Sequence, residues 1–179
     1  MKLSSMFAIF LALASPANAA VITVINQDPP GKGLNDPTPR SPEGKNPGLT
    51  VGEQRRIVYQ FAADLWGAAL KSKVDILIGA TFSDLSCTST GATLGAAGTA
   101  WIASNDPADG KPGMVYPGAI YNAMQEERIS VSEEGVDIIS FFNANLGGRN
   151  PDGSPCFTGG GWYYGLDGKN PTSRISFLD

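Results

Sequence analysis

The chemistry open to this chain is bounded first by a missing residue. None of its 179 residues is histidine. That excludes Ser-His-Asp and Cys-His catalysis within the chain, and also a His-Glu-x-x-His zinc helix. Lys169 follows Gly168, but Asn170 stands where a phosphate loop needs Ser or Thr, and Tyr163 stands where it needs Gly. Gly31-Lys32-Gly33 is a weaker match still. The carboxylate pairs Glu126-Glu127 and Glu133-Glu134 are adjacent residues, which point in different directions on a helix or strand and make no acid/base dyad. They read as solvated surface charge. Asp-Gly steps recur at Asp109, Asp152 and Asp167, with Asp106 nearby. Turn chemistry accounts for them. Ca²⁺ ligation stays open, because exported proteins hold Ca²⁺ in such loops, although none has EF-hand spacing. No catalytic residue and no metal ligand is assigned.

Two side-chain groups remain. Cys87 and Cys156 are the only cysteines. In an exported chain an even count favours a disulfide. It would close a loop of about 70 residues, worth roughly 4 kcal/mol on the chain-entropy model. The alternative is two free or metal-bound thiols, a poor zinc site without histidine. Trp162-Tyr163-Tyr164 sits between glycines. Such aromatics are either half-buried strand residues with wet polar tips or the wall of a groove for peptide or sugar.

The elements that must position these residues form one domain. Lys2, the apolar run Met6 to Ala14 and the small-x-small site Ala17-Asn18-Ala19 read as a secretory signal peptide over residues 1–19. The run is too short to span a bilayer comfortably, and no later stretch is apolar enough. The expectation is a secreted, extracellular or periplasmic product with no membrane attachment once the signal is cleaved, its domain running from 20 to 179. The net charge is −4, or −5 without Lys2. No basic patch suggests nucleic acid.

The organising stretch runs from Leu49 to Leu85. Thr50 and Glu53 have capping-box spacing. Apolar residues then recur as Ile57/Val58, Phe61/Ala62, Leu65/Trp66 and Ala68/Ala69, opposite the polar stripe Glu53, Arg56, Gln60, Asp64 and Lys71. This helix feeds a strand over Val74 to Phe82 that is apolar or small on both faces, which predicts cover by helices or loops on both sides. Val21 to Asn26 is the first strand. Gln27 to Gly48, with six prolines and four glycines, is irregular, and turns are expected at Asn35-Asp36-Pro37 and Asn46-Pro47-Gly48. Ser83 to Gly113 is also expected to be irregular. Ala119 to Arg128 reads as a short helix with Ile120, Met124 and Tyr121 inward. Ile129 to Val131 reads as a short strand, and Val136 to Phe142 as a second good one.

Several of these stretches together resemble the beginning of exported bacterial zincin-like metallopeptidases, some of which carry a protease-associated domain. The residues concerned are Val21–Asn26, Asn46-Pro47-Gly48, Gln54-Arg55, Ala62-Ala63-Asp64-Leu65-Trp66-Gly67, Leu85-Ser86-Cys87 and Phe142-Asn143-Ala144-Asn145. The most specific is Gly161-Trp162-Tyr163-Tyr164-Gly165-Leu166-Asp167-Gly168. The resemblance covers essentially the whole chain after the signal. It implies an α+β fold: an incomplete zincin-like domain, with a twisted mixed β-sheet backed by one long helix and long Gly/Pro-rich loops. In such proteins a segment like Ile175–Asp179 leads into the His-Glu-x-x-His helix, which this sequence stops short of. No metal or catalytic residue carries over, and zinc is expected only if the chain continues. An edge strand of a zincin sheet pairs with extended substrate. By resemblance, Gly160, Gly161, Trp162, Tyr163 and Tyr164 are the candidate substrate-facing residues.

The functional expectation is the pre-active-site portion of a secreted zinc metallopeptidase-like protein, inactive on its own, whose full-length form takes a peptide or protein substrate. The alternative is a complete secreted, disulfide-bonded binding or structural module. A third reading is a glycan-binding domain using Trp162 and Tyr163. Oligomeric state is not legible.

Overall fold

A computed structural model of the chain describes residues 19–104, 110–129, 132–169 and 171–178. The signal sequence through Asn18, the turn residues Asp106 and Asp109, Ser130 and Val131 of the expected short strand, and Asp179 lie outside the described residues.

The fold is mixed α+β, with two helices and a mixed four-stranded sheet. β1 (Ile22–Asn26) and β2 (Ile76–Ser83) flank α1 (Val51–Ala69) in sequence. β3 (Gly95–Thr99), β4 (Ile102–Ala103) and β5 (Tyr116–Pro117) precede α2 (Gly118–Gln125) and β6 (Ile138–Asn143). β7 (Trp162–Tyr163) and β8 (Ile175–Ser176) come last. The sheet order is β1-β2-β6-β3, with the first three strands parallel and β3 antiparallel at the edge. β4 with β5 and β7 with β8 form separate two-stranded pairs.

The capping box starts α1 as its residues foretell. Thr50 Oγ1 accepts from Glu53 N at 3.1 Å, and Glu53 Oε2 accepts from Thr50 N at 3.2 Å. Val58 and Tyr59 of α1 then pack on Ala80 and Phe82 of β2. The Tyr59 hydroxyl lies 2.5 Å from Ser140 Oγ, tying the helix to β6. Ile78, Ala80, Phe82, Ser140 and Phe142 thus share the helix-covered face, as strand alternation requires. The opposite face is more open than expected. Leu77, Thr81 and Ile139 are half-buried and Phe141 is 38% exposed. Over Gly79 lies a side chain, Gln27, instead of a helix.

The inward face of α1 differs from the expected stripe. Gln54, Arg55, Val58, Tyr59 and Ala63 are buried, whereas Leu65 is 54% and Trp66 66% exposed. The reason is the partner available: the buried face continues through Ala63 and Gly67, the latter against Ala20 and Ile22, and Leu65 and Trp66 lie off that face with no described segment over them. In α2 the buried residues are Gly118, Tyr121 and Asn122, with Ile120 exposed, because Asn122 Nδ2 donates to the buried Asp137 at 2.8 Å. Glu126 in the left-handed region (φ 53°) stops α2 at Gln125, short of Arg128. Strands β3 and β4 fall in a stretch expected to be irregular. Gly-Ala-Ala-Gly-Thr has no strand pattern of its own and is extended by pairing with Ile138–Phe142.

The cysteines form a disulfide, with Cα atoms 5.2 Å apart and no free cysteine. It ties the loop after β2 to the loop before β7, where Phe157 N also donates to Thr88 O at 2.7 Å.

Candidate functional site

Parallel strands place their loops together at their carboxyl ends, the usual position of a ligand cleft in such sheets. Here β1, β2 and β6 end around an open cleft of about 730 Å³ bordered by Asp28, Lys32, Asp36, Arg55, Asp84 and Asn145. Its carboxylates are already engaged. Asp28 Oδ2 accepts from Leu34 N at 2.7 Å, and both of its oxygens accept from Phe82 N at 3.1–3.2 Å. Asp36 Oδ1 accepts from Thr38 N and its Oδ2 stands 3.9 Å from Arg55. Asp84 accepts from Asn145 Nδ2 at 2.8 Å. Among the described residues, no three His, Cys, Asp or Glu side chains converge as a metal would need.

Arg55 is the centre of this region, only 4% exposed. Its Nε donates to the Tyr164 hydroxyl at 2.8 Å, Nη1 to Gly33 O at 2.9 Å and Nη2 to Ala144 O at 3.3 Å. The guanidinium lies 4.2 Å from the Phe82 ring centre and 5.8 Å from that of Tyr164. Burial raises the Tyr164 hydroxyl above the ordinary tyrosine range, partly offset by Arg55.

A second, smaller cavity of about 310 Å³ adjoins it, bordered by Arg40, Arg55, Gly161, Trp162, Tyr164 and Arg174. Arg40 and Arg174 are balanced by Glu43, and Arg55 by Asp36 and its neutral oxygen acceptors. Glu43 Oε1 accepts from Arg40 at 2.8 Å and from Tyr164 N at 3.2 Å, and Oε2 accepts from Arg174. Burial alone would raise the Glu43 carboxyl, but the hydrogen bonds from Arg174 and Tyr164 and the Arg40 charge outweigh it. Glu43 titrates below the usual glutamate value. The arrangement clamps the Pro/Gly-rich loop onto β7. That loop was expected to be irregular; it holds one 3-10 turn, Gly33–Asn35, and is otherwise irregular but deeply engaged. Asn46 is fully buried, its Nδ2 donating to Gln54 O at 2.9 Å and Tyr164 O at 2.8 Å.

The five residues expected to face substrate are placed as follows. Trp162, Tyr163 and Tyr164 are all buried, and the indole of Trp162 donates to Asn143 O at 2.8 Å. One backbone edge of this segment pairs with β8, through Ile175 N to Gly161 O and Phe177 N to Tyr163 O, both 3.0 Å. The other edge is taken by Arg40, Glu43, Asn46 and Gly44, including Leu166 N to Gly44 O at 2.7 Å. A Cβ on Gly160, at φ 141°, would lie 1.7 Å from Ser173 O. The glycine run therefore serves close backbone approach. Gly161, Trp162 and Tyr164 border the small cavity beside the arginines.

An edge with no pairing strand among the described residues lies elsewhere in the sheet. β3 pairs with β6 on one side alone, and Ala96, Ala97, Gly98 and Thr99 are exposed. Nothing in Gly-Ala-Ala-Gly-Thr marks it as an edge. The signal for the buried core of the region was readable: Gln54 and Arg55 fall on the same helix face as Val58, where a polar pair demands partners. Asp152 sits in a turn, accepting from Ser154 N and Oγ, and Asp167 Oδ1 accepts from the Tyr163 hydroxyl at 2.8 Å. These local bonds are turn chemistry.

No family model, no curated protein and no solved structure matches this chain.

Proposed function

We propose that this chain is the scaffold portion of an exported zinc metallopeptidase-like protein and is inert without a zinc-binding helix carried elsewhere in the full protein. The residues present do not fit zinc: the chain has no histidine, and the described carboxylates do not converge. The supporting observation is the exposed apolar pair on the second half of α1. Val58 is fully buried and Phe61 partly buried, but Leu65 and Trp66, which extend the stripe, are 54% and 66% exposed. Phe177 lies beside this helix, 5.8 Å from the Tyr59 ring. A further helix following Leu178 would cover the stripe and the adjoining sheet. In this reading the peptide-pairing edge is β3, in place of Gly160–Tyr164.

Export is supported by the disulfide with no free thiol. No helix among the described residues is long and apolar enough to cross a membrane. The test is the secreted product from its natural host: intact mass, bound zinc and chelator-sensitive peptidase activity. A mass larger than Ala20–Asp179, with zinc and activity, is expected. Peptidase activity from Met1–Asp179 alone would overturn the inert assignment.

The alternative, a complete disulfide-bonded binding module, draws on the closed core around Tyr164 and Phe177 and on the cleft at the strand ends. A secreted mass ending at Asp179, with a cooperative melt and no dye binding to exposed apolar surface, selects it.

A further inference from the structure

The last turn of a helix leaves its final carbonyls without intrahelical donors, and those carbonyls carry the negative end of the macrodipole. In α1 the Leu70 amide returns to Trp66 O at 3.0 Å, and no basic side chain lies in the last turn. The cap is completed from the other end of the domain. Ala20 N reaches Gly67 O at 3.0 Å and Leu70 O at 3.1 Å, and Ala20 is 7% exposed. The fit is close: a Cβ on Gly67 would lie 2.5 Å from Ala20 O. Ala20 is also the residue after the small-x-small site.

We propose that cleavage after Ala19 turns this nitrogen into an ammonium that completes the C-terminal cap of α1. An amide shares one hydrogen between two carbonyls. An ammonium at the same place offers a hydrogen to each and a third to the water admitted when the exposed Ala19 leaves. It also sets a positive charge at a helix whose last turn carries no basic side chain, the nearest in sequence being Lys71 just past the cap. Departure of Ala19 removes its bridge to Lys71, so the gain is read net of that contact. Processing thereby couples export to stability of the helix that backs the sheet. The inference rests on the export reading above and not on the peptidase reading.

The experiment starts from the secreted protein. Its N-terminus is sequenced, and its α-amine is then acetylated at about pH 6.5, where lysines remain protonated. Labelling about tenfold slower in the native protein than in denaturant is expected. The same protein retaining Ala19 should melt about 2–5 °C lower. Gly67→Ala, if folded, should restore fast labelling. A first residue other than Ala20 overturns the inference and leaves the export reading standing, whereas a product that keeps Met1 and is not secreted overturns both. An Ala20 amine labelled equally fast in the native and unfolded states overturns the docking alone. So does a melting temperature that does not fall when Ala19 is retained.

Discussion

The two halves of α1 invert the usual relation between side-chain type and burial. The first half buries Gln54 and Arg55 beside Val58 and Tyr59, whereas the second exposes Leu65 and Trp66. Burial of the polar pair is possible because all three guanidinium nitrogens of Arg55 and the Gln54 amide nitrogen find partners outside the helix, although Gln54 Oε1 is buried with no partner among the described residues. Arg55 reaches Gly33, Ala144 and Tyr164, and Gln54 Nε2 reaches Ser41 O and Gly48 O at 2.8 and 2.9 Å. The apolar pair is exposed because no described segment lies over it. Exposure here reports which neighbours each face of the helix meets more than what its residues prefer.

The largest effect that would test this contrast is Arg55→Ala. It strips three acceptors of their donor and opens a cavity between Phe82 and Tyr164. Denaturant unfolding should show a loss of about 3–5 kcal/mol. A loss below about 1 kcal/mol would mean the arginine is a passenger. Next comes the clamp that holds the loop over this half. Glu43→Gln weakens its bonds to Arg40, Arg174 and Tyr164 N, at a cost of about 1–2 kcal/mol at pH 7.

The same residue sets a pH dependence. A glutamate depressed in the folded state binds its proton more readily in the unfolded chain. Its contribution is therefore complete above about pH 4.3 and fades as pH falls through the lower folded value. A pH series of melts should show a steeper acid limb for the native sequence than for Glu43→Gln. Parallel limbs would remove Glu43 from the account.

Thr50→Ala removes the side-chain cap at the start of the covered half and should cost about 1 kcal/mol. The smallest effect is expected in the uncovered half. In Met1–Asp179, Trp66→Ala should change stability by less than about 0.5 kcal/mol. In the natural secreted protein the proposed covering helix raises that cost to about 3 kcal/mol. Equal small costs in both would leave the stripe uncovered and count against the scaffold reading.

Much of the layout could be read before the structure. The capping box, the helix after it and the strands over 21–26, 74–82 and 136–142 all announce themselves by local spacing. Cys87 and Cys156 announce their pairing by number. What misled was the helix face, since the Leu65/Trp66 pair completes a regular stripe while Gln54-Arg55 interrupts one. The aromatic run Trp162–Tyr164 was legible as half-buried or groove-lining but not as a segment with both edges occupied. Its neighbours, Arg40, Glu43 and Asn46, lie more than a hundred residues earlier.

The sequence by itself determined where helices and strands begin, because caps and side-chain periodicity act over three or four residues. It also determined that no histidine chemistry occurs in this chain. Tertiary structure alone decided which face of α1 is inside, that Gly95–Thr99 becomes an edge strand, and that a cation sits in the core. Each of those depends on a partner supplied from far along the chain, and burial energy and hydrogen-bond satisfaction are settled only where the partners meet.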